Sequence, residues 1–380
     1  MSKSFVPKLL LQRLFITIIT LSLVALPISS AQAEALVRAS EWQQVNVDGF
    51  GDPLTTGVSA LEVFKGQLYA GATNWDLGAQ VWQWQKDGQW QQVSETGFGS
   101  GFASPALIDL IVFQGQLYAG TGWNEAPGQV WRSEDGTNWQ PVTTDGFGDG
   151  DNIAITNFAI FRGMLYAGTG TANSSAQIWR SKNGNSDSWT QVGLGGPALI
   201  GNVTGFAVYK GVLYAAIEQA GGFGGTIQVW RSTNGSDWVA VTLDGFGDEF
   251  NESTGGFARF GGYLYLGTRN ETTGGQIWRT QDGLNWELVV SDGFGDINNI
   301  KVESLLVHKG YLYAVTFNWL GLQIWRSANG TSWEQVVAEG FGDSNNSATL
   351  WNNATAVYKD NILIGTWNSI TGGELWMSTR

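Results

Sequence analysis

Short apolar stretches alternate with glycine-rich turns along most of the chain, and two hydrophobic patterns take turns within them. Residues 106–114 (ALIDLIVFQ) are almost continuously apolar, the pattern of a strand buried on both faces. Residues 116–123 (QLYAGTGW) form a second predicted strand, reached through Gly115. Residues 128–133 (GQVWRS) alternate apolar with polar, the period-2 signature of a third strand. Asp135-Gly136 then supplies a positive-φ hairpin turn, and residues 139–143 make a fourth strand. Four antiparallel strands in succession, A to D, constitute one propeller blade.

This unit is repeated. Trp42, Trp90, Trp139, Trp189, Trp238, Trp286 and Trp333 follow one another at spacings of 47–50 residues. LYAG or a near variant returns at Leu68, Leu117, Leu165, Leu213, Leu264 and Leu312, and a strand-C tryptophan returns at Trp82, Trp131, Trp179, Trp230, Trp278 and Trp325. A period near 50 residues is the mark of a propeller or solenoid, each repeat being one supersecondary unit. The last unit supplies strands at residues 354–359, 361–367 and 373–378, so its fourth is expected from residues 41–47. The expected fold is all-β: a seven-bladed β-propeller over residues 34–380, four antiparallel strands per blade, closed by the N-terminal strand completing the last blade. Closure leaves no open edge to template aggregation. A tryptophan repeated in register is read as structural, each burying about 150–250 Å².

The first 33 residues fall outside the repeat. Lys3, Lys8 and Arg13 precede an apolar run at residues 14–28 and an Ala31-Gln32-Ala33 site, the layout of a secretory signal peptide cleaved near Ala33. Secretion to an extracellular or periplasmic space is expected. Its removal takes away three positive charges and no acid, so the formal charge of −13 becomes −16. Strong acidity argues against nucleic acid and anionic membrane as partners. With 0 Cys and 1 His in the chain, disulfides, thiolate chemistry, zinc sites and Ser-His catalysis are excluded as readings.

The turn between strands C and D reads Ser133-x-Asp135-Gly136-x-x-Trp139, with the same form from Ser232 to Trp238, Thr280 to Trp286 and Ser327 to Trp333. It resembles the Asp-box, the Ser-x-Asp-x-Gly-x-x-Trp hairpin repeated in sialidases and in many non-catalytic propellers, shortened here by one residue. The resemblance implies a propeller whose boxes face away from the ligand. It does not extend to sialidase chemistry, which needs three arginines on the substrate carboxylate. Arg132, Arg180, Arg231, Arg279 and Arg326 share one repeated strand-C slot, Arg162 and Arg259 lie near the A–B turn, and only Arg269 ends a strand B beside the ligand-side loops.

Candidate chemistry is sought among residues that break the repeat, in the D–A and B–C loops that share one face. The D–A loops do carry a repeat of their own: Asp48 to Asp52, Asp145 to Asp149, Asp244 to Asp248, Asp292 to Asp296, and Glu339 to Asp343, each framing Gly-Phe-Gly. Paired carboxylates around glycines suit a calcium loop; they equally suit a turn capped by its own Asp with Phe filling the gap between blades, and this second reading is preferred. Otherwise no cofactor is expected. His308 replaces an aromatic on strand A and is read as a packed, hydrogen-bonded histidine. Asp76, Asp109, Glu218 and Glu303 occur once each at ligand-side positions; two could form a glycosidase pair, although solvated loop acids are commoner. Trp75, Trp123, Trp319, Trp351 and Trp367 all fall in or beside the ligand-side loops of units 1, 2, 6 and 7, contiguous on closure. Asn74, Asn124, Asn318 and Asn368 adjoin four of them. Aromatic faces beside amides suit sugar rings. The function expected from the sequence is therefore carbohydrate or glycoconjugate binding by a monomer, without cleavage. The alternatives are a glycan hydrolase or lyase on the same scaffold, and a protein-binding adhesion scaffold.

Overall fold

The computed structural model describes residues 41–100, 104–124, 126–193, 200–219, 226–349, 351 and 353–379; the expected signal peptide lies outside these. Among the described residues the regular structure is strand, relieved only by short 3-10 turns. All the strand ladders are antiparallel, and within a repeat A pairs with B, B with C and C with D. In the second repeat these are Ala106–Phe113, Gln116–Gly122, Gln129–Ser133 and Trp139–Thr143. The A–B connection is a two-residue turn rather than the single glycine expected: Gln114 at φ 48° and Gly115 at φ 77° both take the left-handed region. That is the turn whose twist matches paired strands.

The A strands pack on one another in sequence order, from Thr55–Phe64 through Ala106–Phe113, Asn152–Phe161, Ile200–Tyr209 and Ser253–Phe260 to Asn299–His308. The last of them, Thr355–Tyr358, contacts both Asn299–His308 and Thr55–Phe64. At the periphery Trp42–Gln44 pairs with Leu375–Ser378, Trp42 opposite Ser378.

Two devices dock neighbouring repeats. Among the described residues, six D–A loops bend through Gly-Phe-Gly with all three residues at positive φ; in the first, Gly49, Phe50 and Gly51 stand at 56°, 55° and 96°. A left-handed phenylalanine costs about 1–2 kcal/mol. The ring recovers it by stacking on the strand-C tryptophan and edging the strand-D one: Phe50 lies 4.6 Å from Trp82 and 5.5 Å from Trp90. Phe98, Phe147, Phe246, Phe294 and Phe341 do the same. Burying such a ring contributes about 1.5–3 kcal/mol, so the stack wins over the strain. The second device is a strand-B tyrosine whose hydroxyl reaches the C–D turn glycine of the next repeat, as Tyr214 reaches the carbonyl of Gly283 at 3.3 Å. His308 packs as expected, 8% exposed, with Nε2 3.1 Å from the Asp360 carbonyl.

Candidate functional site

Strand B of one repeat meets strand A of the next at a seam, and the site grows from these seams. The last residues of B pair with the first residues of the following A: Trp367 with Gly57, Gly122 with Ala154, Gly170 with Asn202, Arg269 with Lys301. The paired slots are the least constant positions of the repeat. Strand B places Thr73, Gly122, Gly170, Glu218, Arg269, Phe317 and Trp367 there, while strand A places Gly57, Ala106, Ala154, Asn202, Ser253 and Lys301; in the last repeat Ser347 pairs with Trp367, and Trp351 follows outside the strands. Two residues further along, at the bulge that interrupts the A–B ladder, stand Ser59, Ile108, Thr156, Thr204, Gly255 and Glu303, and Asn353 holds the corresponding place in the last repeat. Residues from these three slots, with loop tryptophans, line a basin of about 370 Å³.

One wall is aromatic. Trp75, Trp123, Trp319 and Trp351 line it together with Phe317. Trp367 stands behind them, 6.4 Å from Trp75 and 6.2 Å from Trp351 between ring centroids. Trp319 is 68% exposed and Trp75 41%, uncommon for indoles. Trp123 sits at φ 72°, a conformation that bulky residues rarely adopt and that clusters at functional sites.

Another part of the lining is polar and charged, made by Glu218, Ser253, Thr254, Arg269, Lys301 and Glu303, and it adjoins the aromatic part where Lys301 pairs with Phe317. The Ser253 hydroxyl donates to Glu218 Oε2 at 2.8 Å. Arg269 pairs with Glu271, while its buried Nε has no partner. The Lys301 ammonium donates to Glu303 Oε1 at 3.0 Å. Glu303 is 2% exposed and its Oε2 is buried without a hydrogen-bond partner. Burial raises the proton affinity of Glu303, partly offset by Lys301, and the neighbouring Glu218 raises it further. Glu303 is thus no solvated loop acid. Nor is Asp109, which is buried, accepts the Phe158 N–H at 2.6 Å and is held well above the usual carboxylate range by desolvation. That bond ties two A strands together. Asp76 is exposed at a loop tip.

The asparagines expected to bind ligand are engaged within the fold instead. Asn74, Asn318 and Asn368 are buried at 0%, 1% and 0% exposure, and with Asn270 they share a strand-end slot that is asparagine in four of the seven repeats. Each Nδ2 donates into the neighbouring D–A loop, to Asp52, Asp296, Asp343 and Asp248 at 2.9–3.0 Å. Each Oδ1 accepts from the backbone of its own B–C loop. These amides shape the loops and are spent in doing so. Trp123 occupies that same slot in the second repeat, and Asn124 beside it is half-buried.

The same bonds account for the acidic loops. Asp52, Asp149, Asp248, Asp296 and Asp343 each accept a backbone N–H two residues on. Their other oxygens receive asparagine or glutamine amides, as Asp149 receives Gln177 at 2.7 Å. Asp145 and Asp244 cap Gly148 and Gly247, Asp48 accepts from Gln44, and Asp292 is exposed at its loop. Among the described residues no three acidic, histidine or cysteine side chains converge as a metal site. Thermal melts in EDTA and in millimolar calcium are expected to coincide, because a ligand of the native state alone raises the melting temperature with its concentration. A calcium-dependent rise would assign these loops to the metal.

No family model matches the chain, and no curated protein does. Among solved structures it is similar to an alpha-L-arabinofuranosidase, CtGH43, from Clostridium thermocellum, at 13% identity over 62% of this chain and 94% of that one, with a TM-score of 0.36. The likeness is too remote to bear on the site, whose chemistry rests on its own residues.

Proposed function

We propose that the chain is an exported, closed seven-bladed propeller of Asp-box type whose basin binds carbohydrate. Closure is supported by the contact of the Thr355–Tyr358 strand with the first A strand and by the pairing of Trp42–Gln44 with Leu375–Ser378. The box is supported by its hydrogen bonds: the Ser133 hydroxyl accepts from Gly136 N–H at 2.8 Å, and Asp135 Oδ1 accepts from Thr137 and Asn138.

The observation that carries the function is the convergence of the tryptophans. Of those outside the repeat, Trp75, Trp123, Trp319 and Trp351 line one basin and Trp367 abuts it. Loop cover alone gives no reason for such clustering, since every repeat needs the same cover. Indole faces stack on the C–H face of a pyranose while the rest of the lining offers hydroxyl, amide, carboxylate and cationic groups to its hydroxyls.

A glycan array, followed by titration of tryptophan fluorescence, tests this. Trp319→Ala and Trp75→Ala are each expected to weaken binding by about two- to tenfold, the equivalent of about 0.5–1.5 kcal/mol per aromatic contact. Their melting temperatures should stay near that of the unsubstituted protein, since both indoles are exposed. Variants that unfold, or an array with no bound glycan, would return these residues to loop packing.

A further inference from the structure

We propose that the basin hydrolyses a glycosidic bond, with Glu303 as the general acid and Glu218 as the base that activates water. The inference rests on the carbohydrate reading of the same basin and adds a reaction to it.

The seven repeats make the choice of residues narrow. Across them, Glu218 is the one acid in its strand-B slot and Glu303 the one acid in its strand-A slot. Both line the basin that the tryptophans face. A carboxylate held only by Lys301 would need just one oxygen; Glu303, a residue of the basin lining, carries a second, Oε2, that is buried and unpartnered. Leaving an ionised oxygen so placed is costly, and a proton on it removes the cost. Protonated, Oε2–H lacks only an acceptor, which a glycosidic oxygen stacked against the indoles would supply. Desolvation pushes Glu303 towards that protonated form. Glu218 sits differently: it is half-buried, with Oε2 taking a hydrogen bond from Ser253. Two carboxyl groups in unlike environments are the arrangement in which one keeps its proton while the other takes one.

The step balances with water as the co-reactant. Glu303 gives its proton to the glycosidic oxygen as the C1–O bond breaks and the alcohol leaves. Water attacks C1 from the other side, its oxygen forming the new bond and its proton passing to Glu218. Glu218 then releases its proton to solvent and solvent returns one to Glu303, which restores both groups. No redox change occurs.

The test uses four reducing-end-labelled hexasaccharides, of β-1,4-xylose, β-1,4-glucose, β-1,4-N-acetylglucosamine and α-1,4-galacturonate. Tryptophan quenching reads binding and chromatography reads chain shortening. At least one should both quench and be shortened. Glu303→Gln is expected to slow shortening by about 10²–10⁴-fold, the usual worth of a positioned acid, with the quenching Kd changed by less than about threefold. Glu218→Gln, at a less buried position, should slow it comparably and covers the case in which Glu303→Gln fails to fold. Quenching without shortening overturns the hydrolase inference and leaves binding standing. Shortening that survives both substitutions overturns the assignment of these two residues. No quenching by any of the four overturns the carbohydrate reading and this one with it.

Discussion

Removing residues 1–47 is expected to leave a protein that melts far lower and self-associates. The segment at 41–47 contributes more than a strand. Trp42 is 7% exposed and packs 5.5 Å from Phe341, in the slot that other repeats fill with a strand-D tryptophan. Val45 N–H donates to the Leu375 carbonyl at 2.8 Å, and Asn46 both accepts from Leu375 N–H at 2.6 Å and donates to the Gly373 carbonyl at 3.1 Å. The Val45 carbonyl accepts the Trp90 indole N–H at 2.9 Å, which ties the last repeat to the first. Loss of a buried tryptophan costs about 3–5 kcal/mol, and each ladder bond about 0.5–1.5 kcal/mol more. Against a total stability of about 5–15 kcal/mol, that loss is most of what holds the fold. The exposed edge of Leu375–Ser378 would then be free to pair with another chain. Thermal melts and light scattering read both effects. A truncated chain that melts with the full one and stays monomeric would sink the proposed closure.

The second large effect is expected at the box glycines. Gly283 stands at φ +77°, and a Cβ there would lie 1.8 Å from Tyr214 Oη. Gly136, Gly184, Gly235 and Gly330 meet Tyr69, Tyr118, Tyr166 and Tyr265 in the same way, at 1.9–2.1 Å. Gly283→Ala therefore carries two costs: about 1–2 kcal/mol for the left-handed backbone and about 1–3 kcal/mol for the overpacked contact. Tyr214→Phe in the same chain removes the clashing oxygen and leaves Cζ at 2.9 Å. The double variant should recover part of the packing cost and none of the backbone cost. Denaturant midpoints for the two single variants and the double one separate the terms. A Gly283→Ala protein as stable as the parent, or a double variant showing no recovery, would show that the tyrosine hydroxyl does not set the docking distance.

Much of the architecture is legible in the sequence because it is written many times. Period-2 alternation in GQVWRS, the near-continuous apolar run before it and the Asp-Gly turn after it are local statements about backbone and burial. Their repetition makes each of them hard to misread. The loop tryptophans are legible for the opposite reason, since Trp75, Trp123, Trp319, Trp351 and Trp367 depart from a repeat that has no structural use for them. The asparagines beside them mislead. Asn74, Asn270, Asn318 and Asn368 are themselves a repeat, and aligning the strand-B ends is enough to mark them as structural. The same alignment isolates Glu218 and Arg269 in the variable slot one residue earlier.

The sequence by itself determined the strand order, the Asp-Gly turn between strands C and D and the residues that depart from the repeat, because those follow from neighbours within one unit. Only the tertiary structure decided which departures meet. Glu218 and Glu303 are 85 positions apart in sequence, and Trp75 and Trp351 lie near opposite ends of the chain, yet all four line one basin. It also decided that Glu303 is buried with one oxygen unpartnered while Glu218 remains half-open to solvent. Desolvation and spatial proximity are properties of the assembled strands, and a carboxyl group's chemistry depends on both.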